Sequence, residues 1–156
     1  MSFAVEPNTR TENQRTLYMG IDPGASGGIA VVGEGFAEAF PIPATYADTS
    51  DLLDELEPKV VFAIMERVHS SPQQGVRSAF SFGQSKGMLL AMLACKKIPF
   101  DDATPQRWMK HMRCMTKGDK NVTKAKAQAM FPHLKVTHKI ADALLIAEYC
   151  RQIRTA

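Results

Sequence analysis

Three acidic residues stand where apolar stretches of the chain open onto polar ones. Leu17-Tyr18-Met19-Gly20-Ile21 is a β-rich run that ends on Asp22. Val60-Val61-Phe62-Ala63-Ile64-Met65 is a continuous apolar run, as a strand buried on both faces requires, and it ends on Glu66. Asp142 heads the apolar stretch Ala143-Leu144-Leu145-Ile146-Ala147. If the strands ending at Asp22 and Glu66 are neighbours, their carboxylates meet at one edge of a sheet. Two like charges there are unfavourable unless something offsets them. A divalent cation does so, and Mg²⁺ prefers carboxylate and water oxygens. His138 precedes Asp142 by one helical turn and shares its face. Each residue also has an ordinary alternative. Asp22 can be a turn residue before Pro23-Gly24, and Glu66 a strand-end acid paired with Arg67 or Lys86. Asp142 can be a first-turn acid favoured by the helix dipole, and His138 a surface histidine. The three acids together are more specific than any one of them.

The elements that must hold these residues follow from the pattern around them. The chain has 156 residues, enough for one domain with a proper core. Residues 1–15 read as a flexible tail and 16–156 as a single domain. Pro23 to Gly28 is a turn, Ile29 to Val32 a second strand, Gly33-Glu34-Gly35 a second turn, and Phe36 to Ile42 a third strand. Three short strands with tight turns make an antiparallel meander. Thr49 or Ser50 can cap a helix over Asp51 to Leu56, which Pro58 stops. The strand 60–65 follows, then a loop over 69–77 and an apolar, Met-rich helical stretch over 78–94. In that stretch Met88 to Met92 suits the core or a dimer interface. Ile98-Pro99-Phe100 reads as a short strand. Thr104-Pro105 is a good helix start, Thr123 caps a basic helix ending near Phe131-Pro132, and the last helix runs from about Thr137 to Arg154. Leu145, Ile146, Tyr149 and Ile153 form its apolar set. The order β-β-β-α-β-α-β-α-α indicates an α/β fold with a mixed sheet flanked by helices.

Charge is segregated along the chain. The net charge is +3, but residues 1–94 carry −5 and residues 95–156 carry +8. Residues 107–126 hold seven basic residues (Arg107, Lys110, Arg113, Lys117, Lys120, Lys124 and Lys126) against the single acid Asp119. Such a stretch can neutralise several phosphates of a polyanion, with strong salt dependence; a solvated helical face is its ordinary alternative. Ser70, Ser71, Gln73, Gln74 and Arg77, in and beside the loop after Glu66, are placed to touch a nucleic acid. Trp108, Phe80 and Phe82 suit helix packing better than base contact, although the two phenylalanines could act as wedges. No apolar run of 18 residues exists, so no transmembrane helix is expected. The polar N-terminus lacks the apolar region of a signal peptide. Three cysteines without a CxxC pair suggest a reducing compartment, and neither a zinc site nor a disulfide frame. A cytoplasmic location is the expectation.

Ile21-Asp22-Pro23-Gly24, Met65-Glu66 after an apolar strand, Thr104-Pro105-Gln106-x-Trp108 and Ile140-Ala141-Asp142-Ala143-Leu144 occur in one order along the chain. The set resembles the RuvC-type Holliday-junction resolvases, especially their short phage and related forms, over about residues 16–150. The Asp-Pro-Gly motif alone is weak; the ordered set is strong. The resemblance implies an RNase H-like fold with a mixed five-stranded sheet. It also implies a homodimer that makes symmetric paired nicks in four-way DNA junctions with Mg²⁺ or Mn²⁺, two ions per site, in DNA recombination and repair. Asp22, Glu66 and Asp142 match the metal-binding acids of that family. Many members carry a further carboxylate three residues before the last Asp, where this chain has Lys139. His138 resembles a histidine that some members use nearby, and as a ligand or proton carrier it would give activity a titration near neutral pH. The alternatives are an RNase H-like nuclease for branched DNA or RNA–DNA hybrids, and a binder of DNA structures without catalysis. A fragment of an actin-like phosphate-binding ATPase also begins with an Ile-Asp-x-Gly hairpin, but the chain is short for its duplicated domains.

Overall fold

The structure, a computed structural model, describes residues 15–68 and 71–156. Residues 1–14 of the expected tail, and residues 69 and 70 of the expected loop, lie outside the described residues. A five-stranded sheet runs in the order β3-β2-β1-β4-β5. Its strands are β1 (Leu17–Asp22), β2 (Gly28–Gly33), β3 (Phe36–Pro41), β4 (Val60–Glu66) and β5 (Phe100–Ala103). The β1–β2 and β2–β3 pairs are antiparallel, as the meander requires, while β1–β4 and β4–β5 are parallel. Helices α1 (Tyr46–Leu56) and α2 (Val76–Cys95) cover one face. Helices α3 (Pro105–Met112), α4 (Lys120–Met130) and α5 (His138–Thr155) cover the other.

Side-chain alternation divides the core into two layers. Leu17, Met19, Ile21, Ile29, Val31 and Met65 pack towards α1 and α2. Ala30, Val32 and Ile64 pack towards α3 and α5. Helix α5 is apolar almost all round: Ile140, Ala141 and every residue from Ala143 to Cys150 are buried. It is the central helix of its layer, with the sheet on one side and α3 and α4 on the other. No helix among the described residues is long and apolar enough to cross a membrane.

Several boundaries differ from the sequence expectation. Helix α1 starts a turn earlier than Thr49 or Ser50 allows, because the hydroxyl of Thr45 accepts from the N–H of Asp48 at 3.1 Å. Thr49 sits buried inside that helix and donates to the Thr45 carbonyl at 2.9 Å. Similarly, Asp119 caps α4 by accepting from the Asn121 N–H at 2.9 Å, and Thr123 lies one turn inside. Strand β5 begins at Phe100, not Ile98. Lys97 turns left-handed with φ 60°, and the Ile98 N–H donates back to the Leu93 carbonyl at 3.0 Å. Ile98 therefore closes α2 as a buried C-terminal anchor. Three helices follow β5, as the three helix starts in the sequence require and one more than the element order counted; the first of them, α3, ends at Arg113 in a left-handed conformation. Ile153 is 39% exposed, so it falls outside the buried face assigned to it.

Candidate active site

The acids converge because of strand register. Ile21 pairs with Met65 in the parallel β1–β4 ladder, so Asp22 and Glu66 leave the sheet side by side at its C-terminal edge. Alternation puts Gly20 and Asp22 on the α5 face of β1, as it puts Ile64 and Glu66 on that face of β4. Gly20 is where α5 touches the sheet backbone: a Cβ there would run into the Ala143 carbonyl and the Ala147 N–H. This contact sets α5 down on β1 with Asp142 at the Asp22 end. After Asp22 the chain turns sharply. Gly24 takes φ 113°, a conformation that glycine adopts without strain, and the Gly27 N–H donates to the Gly24 carbonyl at 3.0 Å.

The three carboxylates feel one another. Burial pushes Asp22 up to about 8, with the charges of Glu66 and Asp142 adding to the rise and that of Lys120 opposing it. Burial also pushes Glu66 up to about 7; the indole of Trp108 opposes this and Asp142 adds to it. Burial raises Asp142, against the hydroxyl of Thr123 and the charges of Lys120 and His138. Such a cluster is poorly compensated by the protein alone. Among the described residues, no three His, Cys, Asp or Glu side chains are gathered closely enough to ligate one ion as they stand. The donor set nevertheless suits a hard divalent cation: three mutually repelling carboxylates, of which Asp22 and Asp142 line a polar cleft and Glu66 is buried at the same sheet edge.

That cleft is lined by Asp22, Ser26, Lys120, Thr123, His138 and Asp142, together with Pro23, Gly24 and Gly27 of the turn after β1. His138 and Asp142 thus share a face, as their spacing required. Glu66 takes neither of its expected partners. Arg67 instead pairs with Asp102, Nε to Oδ2 at 2.9 Å, and Glu66 Oε2 accepts from Trp108 Nε1 at 2.7 Å. Lys139, where a carboxylate was the family pattern, is exposed.

The basic residues are spread over different surfaces. Lys120, the first residue of α4, stands in the acid cleft. Arg107 and Lys110 line a separate groove with His111, Tyr149 and Ile153. Ile153 is 11 residues beyond Asp142 on α5, or roughly 16 Å along the helix. Arg113 and Lys126 line another recess with His111, Met112, Met130 and Gln152, and Lys117 lies in the turn before α4. Lys124 is half-buried on α4, and Arg77 is exposed at the start of α2. Ser71 and Gln73 are exposed and hydrogen-bond each other, while Gln74 donates to Ser78. Phe80 does not pack: it is 73% exposed on the outer side of α2. Phe82 is half-buried, its ring 3.4 Å from where a Gly24 Cβ would stand. Met88 and Met92 are partly buried against the α1–α2 layer of the core.

The fold matches T. thermophilus RuvC solved in complex with a Holliday junction substrate, at 18% identity over 90% of this chain and 98% of that one, with a TM-score of 0.63. A second Thermus thermophilus RuvC structure matches at 17% identity over the same shares, with a TM-score of 0.62. The chain has the RuvC fold. A yeast mitochondrial Holliday junction resolvase aligns more loosely, at 16% identity over 88% of this chain and 81% of that one, with a TM-score of 0.45. No family model and no curated protein matches the chain by sequence. The RuvC fold is RNase H-like, so the mixed five-stranded sheet expected from the sequence is the one found.

Within this RuvC-like chain the sequence reading missed three neighbours of the acids: Trp108 on Glu66, Thr123 beside Asp142, and Lys120 inside the cleft. One signal was available. A Trp in a core helix must place its N–H on an acceptor, and few acceptors remain in so apolar a layer. Thr123 and Lys120 gave no such signal, because their roles depend on how α4 lies against α5.

Proposed function

We propose that this protein is a divalent-metal-dependent endonuclease that resolves four-way DNA junctions. The observation that carries this reading is the convergence of Asp22 from β1, Glu66 from β4 and Asp142 from α5 at one sheet edge, each raised by burial. The likeness to a RuvC solved with a Holliday junction substrate supports the choice of DNA form.

Asp22 on its central strand, Glu66, Asp142 and His138 are the residues that would hold the ions, two per site. The ions, Mg²⁺ or Mn²⁺, would neutralise the carboxylates, promote attack by water and stabilise the departing 3′ oxygen, leaving 5′-phosphate and 3′-hydroxyl ends. The chain's own part is positional. The β1–β4 ladder and the Gly20 contact hold the acids on separate rigid elements, which is what in-line attack on a phosphate needs. His138, exposed at the mouth and next to Asp142, is placed to orient the attacking water or carry its proton. Lys120 is placed to meet a phosphate oxygen that enters the cleft.

Arg77, Arg107, Lys110, Arg113, Lys117, Lys124 and Lys126 would bind the DNA arms through phosphates. Two copies related by a two-fold axis would match a two-fold junction and give paired nicks. The outer face of α2, where Val76, Phe80, Gly83 and Gly87 are exposed, is the uncharged surface that supports such a pairing. The protein would act in the cytoplasm of a bacterial or phage-infected cell, where its substrate lies.

The test is cleavage of a labelled four-way junction, a flap, a linear duplex and an RNA–DNA hybrid, with and without Mg²⁺ or Mn²⁺, beside Asp22→Asn. Metal-dependent paired nicks in the junction, abolished by the substitution, are the expected result. Preference for the hybrid or the flap would transfer the reading to another RNase H-like nuclease. Junction binding without cleavage under any metal would leave a non-catalytic binder.

A further inference from the structure

Trp108 is the chain's only tryptophan, and none of its surface is exposed. Its Nε1–H donates to Glu66 Oε2 at 2.7 Å, a contact that ties one of the three acids to a buried side chain of α3. Donor and acceptor are held close together by the backbone. Glu66 pairs with Ala103 in the β4–β5 ladder, and the Arg67 N–H donates to the Ala103 carbonyl at 2.8 Å. The next residue, Thr104, caps α3: its hydroxyl accepts from the Arg107 N–H at 3.3 Å and its carbonyl from the Trp108 N–H at 3.2 Å. Pro105 fixes the first helical position. The indole is therefore set by one ladder rung, one cap and one turn of helix, with Met112, Leu144 and their neighbours packed in the same layer.

A glutamate has three side-chain torsions, and an uncompensated carboxylate among like charges swings away from them. A donor fixed by packing removes that freedom. Resting on the reading of the three acids as a metal site, we propose that Trp108 is a positioning residue for Glu66: its indole N–H pins Oε2, fixes the carboxylate plane and leaves Oε1 as the oxygen that takes the cation. Loss of such an outer partner typically costs about 10- to 100-fold in metal affinity or activity. The same contact makes the only indole of the protein a reporter of the site, because a cation drawing charge from Glu66 changes the field at Nε1.

Two variants separate positioning from packing. Trp108→Phe removes the donor and some volume. Incorporation of β-(3-benzothienyl)alanine at position 108 keeps the bicyclic shape and replaces N–H by sulfur. Mn²⁺ is titrated into each without DNA, by calorimetry, and into the native protein by indole emission; junction cleavage is then followed against Mn²⁺ concentration. The Mn²⁺ midpoint is expected to rise by about 10- to 100-fold in the benzothienyl protein, with its melting temperature near that of the native protein and its KM for the junction within about twofold. Native emission should respond to Mn²⁺, and the response should vanish in Glu66→Gln. A Mn²⁺ midpoint in the benzothienyl protein within about twofold of native overturns the proposal, whatever Trp108→Phe does to folding. Junction cleavage with an unmoved midpoint sinks the positioning role and leaves the nuclease standing. A Glu66-dependent emission change and a shifted midpoint, in a protein that cuts no branched DNA, does the reverse.

Discussion

Gly20 and Ala147 meet backbone to backbone. A side chain at Gly20 would occupy the space of the Ala147 N–H and the Ala143 carbonyl, so α5 lies closer to β1 than any residue but glycine at this position allows. Asp22 is two residues along the strand from this contact, and Asp142 immediately precedes Ala143 on the helix. The distance between two acids far apart in sequence is therefore set by the absence of one methyl group.

Gly20→Ala should accordingly do two kinds of damage. The added Cβ meets backbone on both sides, so relief requires α5 to move off the sheet, and overpacking of this kind costs about 1–3 kcal/mol or more. In a chain of this size that is a fall of roughly 2–4 °C in melting temperature for each kcal/mol. Activity should fall by more than the lost folded fraction, because the variant that does fold holds Asp142 away from Asp22. Thermal melts and cleavage rates on the same preparation check this; an unchanged rate in a destabilised protein would mean that α5 placement does not set the site.

Asp22→Asn is expected to lower cleavage by about a thousandfold or more, while junction affinity stays near native. Removing a charge from the centre of the cluster should also raise the melting temperature of the metal-free protein at pH 8, because burial and two neighbouring acids disfavour that charge. Gain of stability with loss of activity marks a functional site held at a structural cost. Equal or lower stability at pH 8 would count against the electrostatic account.

The pH dependence follows from the same groups. Asp22 is raised to about 8 and Glu66 to about 7, from ordinary values of 3.8 and 4.5. Across that interval the folded protein keeps protons that the unfolded chain has released, so the contribution of these acids to stability is present at low pH and is lost as pH rises through about 7 to 8. Without metal, melts at pH 6, 7 and 8 should show a decline that Asp22→Asn reduces. Mg²⁺ competes with the protons for the folded carboxylates, so its stabilising effect should be larger at pH 8 than at pH 6. A Mg²⁺ shift that shrinks with rising pH would contradict the assignment.

The sequence made the frame of this site legible and hid its fittings. The runs ending on Asp22 and Glu66 are strands with those residues at their ends, because near-continuous apolar sequence bounded by a polar residue has few other solutions. Apolar patterning leaves the neighbour of β1 open, and only the parallel register with β4 makes the acids neighbours. Thr45 and Asp119 were missed as caps because Thr49 and Thr123, four residues further on, are equally good by type. Their hydroxyls are used inside the helices instead, Thr49 on the Thr45 carbonyl and Thr123 on the Lys120 carbonyl, beside Asp142. Phe80 was misjudged for a related reason: a helix that is apolar on several sides does not declare which side faces the core.

The basic segment divides by position, and this gives its members different expected phenotypes. Lys120 faces Asp22 and Asp142 in the cleft, whereas Arg107 and Lys110 line a groove towards the far end of α5. The double change Arg107→Ala and Lys110→Ala should weaken binding to junction and duplex alike. Its salt dependence should lose about one unit of slope for each phosphate contact removed, and cleavage at saturating DNA should hardly change. Lys120→Met should do the opposite, with a small effect on affinity and a large one on the rate at saturation. It should also raise the melting temperature's sensitivity to pH, because the only lysine whose charge opposes the rise of Asp22 and Asp142 is gone. Affinity measured from 50 to 200 mM salt, beside single-turnover cleavage, distinguishes the two classes. If Lys120→Met behaves like the distant pair, the lysine is one phosphate contact among several and the cleft works through its acids alone.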